Sequence, residues 1–297
     1  MLNSSPISRR SSNLMYKAII IPNTKKDVDL AVTKKVIDRL YSLGICVLID
    51  SSYGLVSEKT TVYSSPPDNA DVIIVIGGDG SVIDASSLAI SLDVPILGVN
   101  LGRVGYLTEV EPGDLSMLEN LISEAKTNEK MLLIADHVNS GGEIISTSRH
   151  AVNDVVVSHG DYFGIANFTL TDSLDEMVAY RADALIVSTP VGSTAYSLSA
   201  GGPLIAHNLD SITVTPVCPH SFFNRPIVYE PSETLTVTNS GTADLSVSVD
   251  GRYFATLREG ERCVIRQSDK KLKMITFSKN NMFSTLFKKI KVYENNV

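Results

Sequence analysis

The rhythm of hydrophobic and polar positions changes near residue 131. Before that point, unbroken apolar runs alternate with stretches of helical spacing. YKAIIIP (16–22), ICVLID (45–50), DVIIVI (71–76) and PILGVN (95–100) are the runs, a pattern suited to strands covered on both faces. DVDLAVTKKVIDRLYSLG (27–44) follows the first of them. There Val28, Val32, Val36 and Leu40 recur every four residues beside Ile37 and Tyr41, and Gly44 closes the pattern, which predicts an amphipathic helix with a C-terminal glycine. Helical patterning also covers about 82–91 and 114–126. Strands alternating with helices predict an α/β domain, a parallel sheet flanked by helices.

After residue 131 the segments are short, β-branched and often alternating, as in MLLIADHV, ISTSRHAVNDVVVS, IANFTLTDS, SITVTPV, TLTVTNS and KLKMITF. Gly, Pro, Asn and Asp separate them, which predicts a β-rich C-terminal domain. LSVSVDGRYFATL places Asp-Gly between two alternating stretches, a strong hairpin signal. The predicted division is a tail at 1–14, an α/β domain at 15–130 and an all-β domain at 131–277. Residues 278–297 are expected as a short helix or strand that could close back on the first domain.

Composition narrows the functional classes. With 297 residues, 43% of them hydrophobic and 20% charged, the chain reads as an ordinary globular protein of two domains. A net charge of −7 argues against a general binder of nucleic acid or membrane surfaces. Cys46, Cys218 and Cys263 are too far apart for a disulfide framework or a zinc pattern, which points to a reducing cytoplasm and no structural metal. No apolar run approaches the roughly eighteen residues of a membrane span. MLNSSPISRRSSNL is rich in Ser and Arg and free of acids, a composition shared by transit peptides and disordered tails. Met15 directly precedes the first strand-like segment, which favours a disordered tail or a misplaced start.

Chemistry concentrates at three places. GGDGS (77–81) lies where an apolar strand turns into a helix. Gly78 and Gly80 let main-chain N–H groups approach a phosphate, and the helix start adds partial positive charge. Asp79 is the anomaly, because a carboxylate repels phosphate unless a metal or a hydroxyl lies between. From spacing alone, capping of the helix by Asp79 stays equally open. The pattern is neither G-x-G-x-x-G, since Ile83 fills the last slot, nor a Walker A loop. A second glycine cluster, GVNLGRVGYLTE (98–109), carries Arg103 and follows the next strand. In RADALIVSTPVGSTAYSLSAGGPLI (181–205), a strand runs into a small-residue loop with Ser193, Thr194 and Tyr196. Those hydroxyls suit ribose and phosphate, and the ring suits stacking on a base.

Together these segments resemble the NAD kinase family: GGDGS (77–81), NDVVVS (153–158), STPVGSTAYSLSAGGP (188–203) and CPHSFFNRPIV (218–228), in that order. The string at 188–203 carries the assignment, since Gly-Gly-Asp-Gly also occurs in lipid and sugar kinases. The resemblance implies NAD bound between the two domains, with transfer of the terminal phosphoryl group of ATP, or of polyphosphate, to the 2′-hydroxyl of the adenosine ribose. The product is NADP. It further implies Mg²⁺ carried with the nucleotide and a homodimer or homotetramer. Asp79 becomes the catalytic proton acceptor, with Gly78, Gly80, Ser81 and Arg103 near the phosphates. Asn153 and Asp154 meet the NAD ribose and diphosphate, Thr194, Ala195 and Tyr196 line the adenosine pocket, Asp183 lies near the nicotinamide, and Ser199 is a further contact. Three departures stand out: Asp154 is shorter than the commoner Glu, Ala184 follows Asp183 in place of Gly, and Val191 replaces Thr or Ser. The rival readings are a lipid or sugar kinase sharing GGDGS, and a non-catalytic NAD(P)-binding sensor.

Overall fold

The unbroken apolar runs are strands in the computed structural model, which describes residues 15–102, 105–121, 123, 125–160, 164–220, 222, 224–277, 285 and 287. β1 (Lys17–Pro22), β2 (Cys46–Asp50), β3 (Thr60–Tyr63), β4 (Val72–Gly77) and β5 (Ile96–Asn100) form a parallel sheet of order β3-β2-β1-β4-β5. Every residue of β4 and β5 is buried, so neither strand can alternate. β3 carries no apolar run: it is short and at the sheet edge, and none of its residues is fully buried.

Helix α1 (Ala31–Ser42) buries Thr33, Val36, Ile37 and Leu40 on one face. It starts later than the apolar rhythm predicts: Val28 is 76% exposed and precedes the first turn. Asp27 sets that start, because its carboxylate accepts the N–H groups of Val32 and Thr33 and the Thr33 hydroxyl. Gly44 ends the segment at φ 72, as predicted. Helix α2 (Asp79–Leu92) begins three residues before the predicted 82. The helix expected at 114–126 is not formed. Leu115–Asn120 is a 3₁₀ turn, and the chain is extended from Lys126. Leu115, Leu118 and Leu121 are spaced by three, the repeat of a 3₁₀ turn, and Leu118 and Leu121 are fully buried.

The C-terminal half is built from β6 (Lys126–Val138), β7 (Ile144–Thr147), β8 (Asp154–His159), β9 (Ala166–Thr171), β10 (Met177–Ala182) and β11 (Ala184–Ser188), then one short helix, α3 (Tyr196–Ser199). β12 (Ile212–Val217), β13 (Ile227–Tyr229), β14 (Thr234–Asn239), β15 (Leu245–Val249), β16 (Arg252–Leu257) and β17 (Arg262–Thr276) complete it. Six strands form an antiparallel sheet of order β13-β12-β11-β8-β15-β16. A second antiparallel set runs β10-β9-β14-β17, with β6 also paired to β17. Side chains from both sets, among them Val155, Val157, Phe168, Tyr180, Leu185 and Val237, share one core. β8 and β11 are also covered on their outer face, where Val156, Ala184 and Ile186 cluster, which explains the valine run at 155–157. The Asp-Gly hairpin forms as read, with Val249 paired to Arg252 and both Asp250 and Gly251 at positive φ.

The chain divides into two units, one holding the described residues of Met1–Glu129 and Leu272–Val297, the other Lys130–Lys271. The expected N-terminal tail at 1–14 lies outside the described residues, as does the closing element at 278–297 except for Thr285 and Phe287. Among the described residues no helix is long and apolar enough to cross a membrane.

Candidate functional site

In the first unit the strand order reverses at β1, with β2 and β3 on one side and β4 and β5 on the other. Open α/β sheets bind ligands beyond the carboxyl ends of strands at such a switch point. The two loops leaving there follow β1 and β4, and Asn23 Nδ2 ties them together by donating to Ser81 Oγ at 2.8 Å. Gly78, not Asp79, is the N-cap of α2, and no side chain caps it. The Asp79 carboxylate turns instead to the second glycine cluster. Its Oδ2 accepts the Tyr106 N–H at 2.9 Å and its Oδ1 the Leu107 N–H at 3.0 Å. That approach requires a bare Cα opposite, because a Cβ on Gly105 would run into the Asp79 carboxylate and the Thr108 hydroxyl.

Lys26 completes this half. Its ammonium lies 2.9 Å from where a Cβ on Gly78 would sit and 3.3 Å from the same position on Gly102. A cation therefore lies over the bare Cα positions of Gly78 and Gly102, at the positive start of α2 that also carries the oriented Asp79 carboxylate. Among the described residues each Asp79 oxygen accepts one N–H, out of about two acceptor directions, which leaves room for a hydroxyl proton. Burial, and then the Asp79 charge, push the neighbouring Tyr106 phenol above its ordinary value.

In the second unit the site lies on the outer face of the six-stranded sheet. Asp154, Val156 and Ser158 point to that face from β8, because alternate residues of a strand share a side. The register pairs Val156 with Ser248, which brings Ser248 of β15 to the same cavity. Asn153, Ala195, Tyr196, Asp250 and Gly251 complete a lining around about 400 Å³. The 188–203 string is fastened beneath it. Thr189 donates its N–H to Asn153 O at 2.8 Å and its hydroxyl to Val152 O at 2.6 Å. Gly192 is packed so closely that a Cβ there would overlap the Asn153 carbonyl. Asp250 holds the same turn from the other side, accepting the N–H groups of Val152, Asn153 and Asp154 at 2.9, 2.7 and 3.2 Å. Burial, and then the Asp250 charge, push the Asp154 carboxyl up to about 7.

The model of the ATP-NAD kinase N-terminal domain matches residues 19–126, and that of the ATP-NAD kinase C-terminal domain matches 152–277. The chain belongs to the ATP-NAD kinase family. It is 36% identical to the NAD kinase of Geobacter sulfurreducens over 88% of this chain and 93% of that protein. The NAD kinase of Thermoanaerobacter sp. strain X514 is 34% identical over 93% and 99%. A crystal structure of yeast NADH kinase with NADH matches with TM-score 0.80 at 20% identity, over 93% of this chain and 87% of that one. An NAD kinase from Archaeoglobus fulgidus with ATP matches with TM-score 0.69 at 24% identity, over 93% and 98%. These two likenesses establish the fold.

In this chain the structure gathers Gly78, Asp79, Gly80 and Ser81 at one turn and Asn153, Asp154, Ala195 and Tyr196 around one cavity. Tyr196 is 46% exposed, which leaves a ring face open. Thr194 and Ser199 do not line that cavity: the Thr194 hydroxyl donates to Val191 O, and Ser199 lies exposed at the end of α3. Asp183 lies between β10 and β11, also outside the lining, with its N–H on Val217 O. Arg103 is outside the described residues. Sequence reasoning missed Lys26 and Asp250. Lys26 had a usable signal, a cation just past the carboxyl end of β1. Asp250 was read only as a turn residue.

Proposed function

We propose that this chain transfers the terminal phosphoryl group of ATP to the 2′-hydroxyl of the adenosine ribose of NAD, giving NADP and ADP. One observation carries the reading beside family membership: a carboxylate in a glycine turn, oriented by the Tyr106 and Leu107 N–H groups with acceptor directions left over among the described residues. A helix cap would not need that geometry.

The bond from the ribose oxygen to the γ-phosphorus forms as the β,γ-bridging bond breaks, and the hydroxyl proton passes to Asp79. A carboxylate is a feeble base towards an alcohol, so Asp79 orients the hydroxyl and takes its proton late, once the new bond is forming. Gly78 and Gly80 leave room for the phosphates, Ser81 braces the turn through Asn23, and Lys26 meets donor phosphate charge. Arg103 is assigned to the same phosphates. Magnesium travels with the donor nucleotide and neutralises phosphate charge there. Among the described residues no group of three or more His, Cys, Asp or Glu offers a resident metal site.

In the second unit Asn153 and Asp154 bind the ribose and diphosphate of NAD, and Tyr196 stacks on the adenine beside Ala195. Asp183 and Ser199 are assigned to contacts further along the dinucleotide. The first unit is thus the donor-side domain and the second the NAD-binding domain. Assembly as a homodimer or homotetramer in the cytoplasm accompanies the reading, and sedimentation of the purified chain tests the assembly.

The deciding experiment incubates the chain with NAD and MgATP and reads NADP with an NADP-specific dehydrogenase. NADP formed by the native chain and lost in Asp79→Asn supports the proposal. Phosphorylation of diacylglycerol with none of NAD would overturn it, and saturable NAD binding without any NADP would make the protein a sensor.

A further inference from the structure

We propose that Asp250 is a positioning residue for the dinucleotide: it fixes the main chain of Val152–Asp154 and keeps the adjoining Asp154 carboxyl as a protonated hydrogen-bond donor when the dinucleotide binds. The identity of the ligand rests on the function proposed above.

An Asp-Gly hairpin turn needs positive φ at both positions, and Asn serves that need as well as Asp. The choice of a carboxylate therefore has another source. The Asp250 side chain is only 1% exposed, yet four N–H donors converge on it. Three are the main-chain groups of Val152, Asn153 and Asp154, and the fourth is Arg149 Nη2 at 3.2 Å. These donors fill about all the lone-pair directions of a carboxylate. Asn at this position would turn an N–H toward one of them.

Asp154 is the opposite case. It is 5% exposed, lies on the cavity face of β8, and receives no hydrogen bond from the described residues. The neighbours facing it are Ser188 across on β11, Tyr196 on α3, Ser248 on β15 and Asp250 on the hairpin turn. Among these, Asp250 is the one group that carries charge, and the nearby Arg149 is engaged with Asp250. Burial beside a fixed carboxylate is the arrangement that retains a proton, in line with the upward push to about 7. A neutral acid can donate to a ribose or phosphate oxygen, and it adds no negative charge beside an anionic dinucleotide. An ionised Asp154 could only accept.

The test is calorimetric titration of the full-length chain with NAD, a ligand that has no titrating group near neutrality. If only the acid form binds, Kd is flat below about pH 7 and rises about tenfold per pH unit above it. Asp250→Asn moves that break down by roughly half a unit to one unit, because the like charge is gone. Arg149→Gln moves it up, because Asp250 loses its cation. Asp154→Asn, which has no proton to lose, removes the break whatever its own Kd. A purely structural role for Asp250 would shift melting but could not give opposite displacements in the first two variants. A native Kd that is flat from about pH 6 to about pH 9 overturns the inference, as does Asp154→Asn with the native break. If Asp250→Asn does not fold, the Arg149→Gln and Asp154→Asn profiles decide alone. Normal binding without the predicted profile sinks this inference and spares the kinase reading, whereas no NAD binding at any pH sinks both.

Discussion

Replacing Asp154 with Asn should make the folded chain markedly more stable above neutral pH. Asp154 releases its proton at about 7 in the folded chain, against an ordinary value of 3.8. Below 3.8 the acid is protonated whether the chain is folded or not, and its contribution to stability is fully present. As pH rises, the unfolded chain ionises first while the folded chain keeps the proton, so the contribution falls until it is lost at about 7. The interval is about three pH units at about 1.36 kcal/mol per unit, or roughly 4 kcal/mol in all. Set against a typical total of about 5–15 kcal/mol, that is a large share. Asn is neutral throughout and escapes the loss. Urea unfolding of both proteins, followed by circular dichroism at a series of pH values, measures the effect. Groups held below their ordinary range, such as Asp27 and Glu261, shift stability the other way, but equally in both proteins. The difference between native and variant therefore isolates Asp154. It should change by roughly 4 kcal/mol from about pH 4 to about pH 8. A difference that stays constant within about 1 kcal/mol across that range would show that the folded chain does not retain this proton.

Asp79→Asn should cut NADP formation by about a hundred- to ten-thousandfold while NAD still binds, measured as kcat beside a calorimetric Kd. Its amide must also turn an N–H toward either Tyr106 or Leu107, so the same variant loosens that loop. Lys26→Met should raise the KM for ATP about tenfold and leave the Kd for NAD unchanged, because the cation lies over the glycine turn of the first unit. Equal KM values in the two proteins would place Lys26 outside the donor contacts. Gly192→Ala should destabilise the fold by about 1–3 kcal/mol, since its Cβ overlaps the Asn153 carbonyl, and a melting curve reads it. A native melting temperature would mean that the Asn153 turn can move aside without cost.

Local rules carried the glycine turn and the hairpin. GGDGS stands at the end of an unbroken apolar strand whatever the rest of the chain does, and Asp-Gly between alternating stretches makes a tight turn from backbone preference alone. They failed where neighbours decide. TTVY became β3 by pairing at a sheet edge, without an apolar signal of its own. The 114–126 segment followed leucines spaced by three rather than the average helical period. The hydroxyls of Ser193 and Thr194 suit a ligand in the sequence, but they donate to Pro190 O and Val191 O, because polar groups taken out of water find partners.

From the sequence alone came the alternation of strands and helices, the β-rich second half, the placement of Asp79 in a phosphate-suited turn, and the family. These depend on the order of side chains along a strand or helix, a property that adjacent residues share. Tertiary structure alone decided what each carboxylate does. Asp79 meets the N–H groups of Tyr106 and Leu107, more than twenty-five residues away in the chain. Asp154 meets the field of Asp250, from a hairpin nearly a hundred residues further on. Orientation and proton affinity are set by whatever charge and N–H groups lie within a few ångströms, and only folding determines which those are.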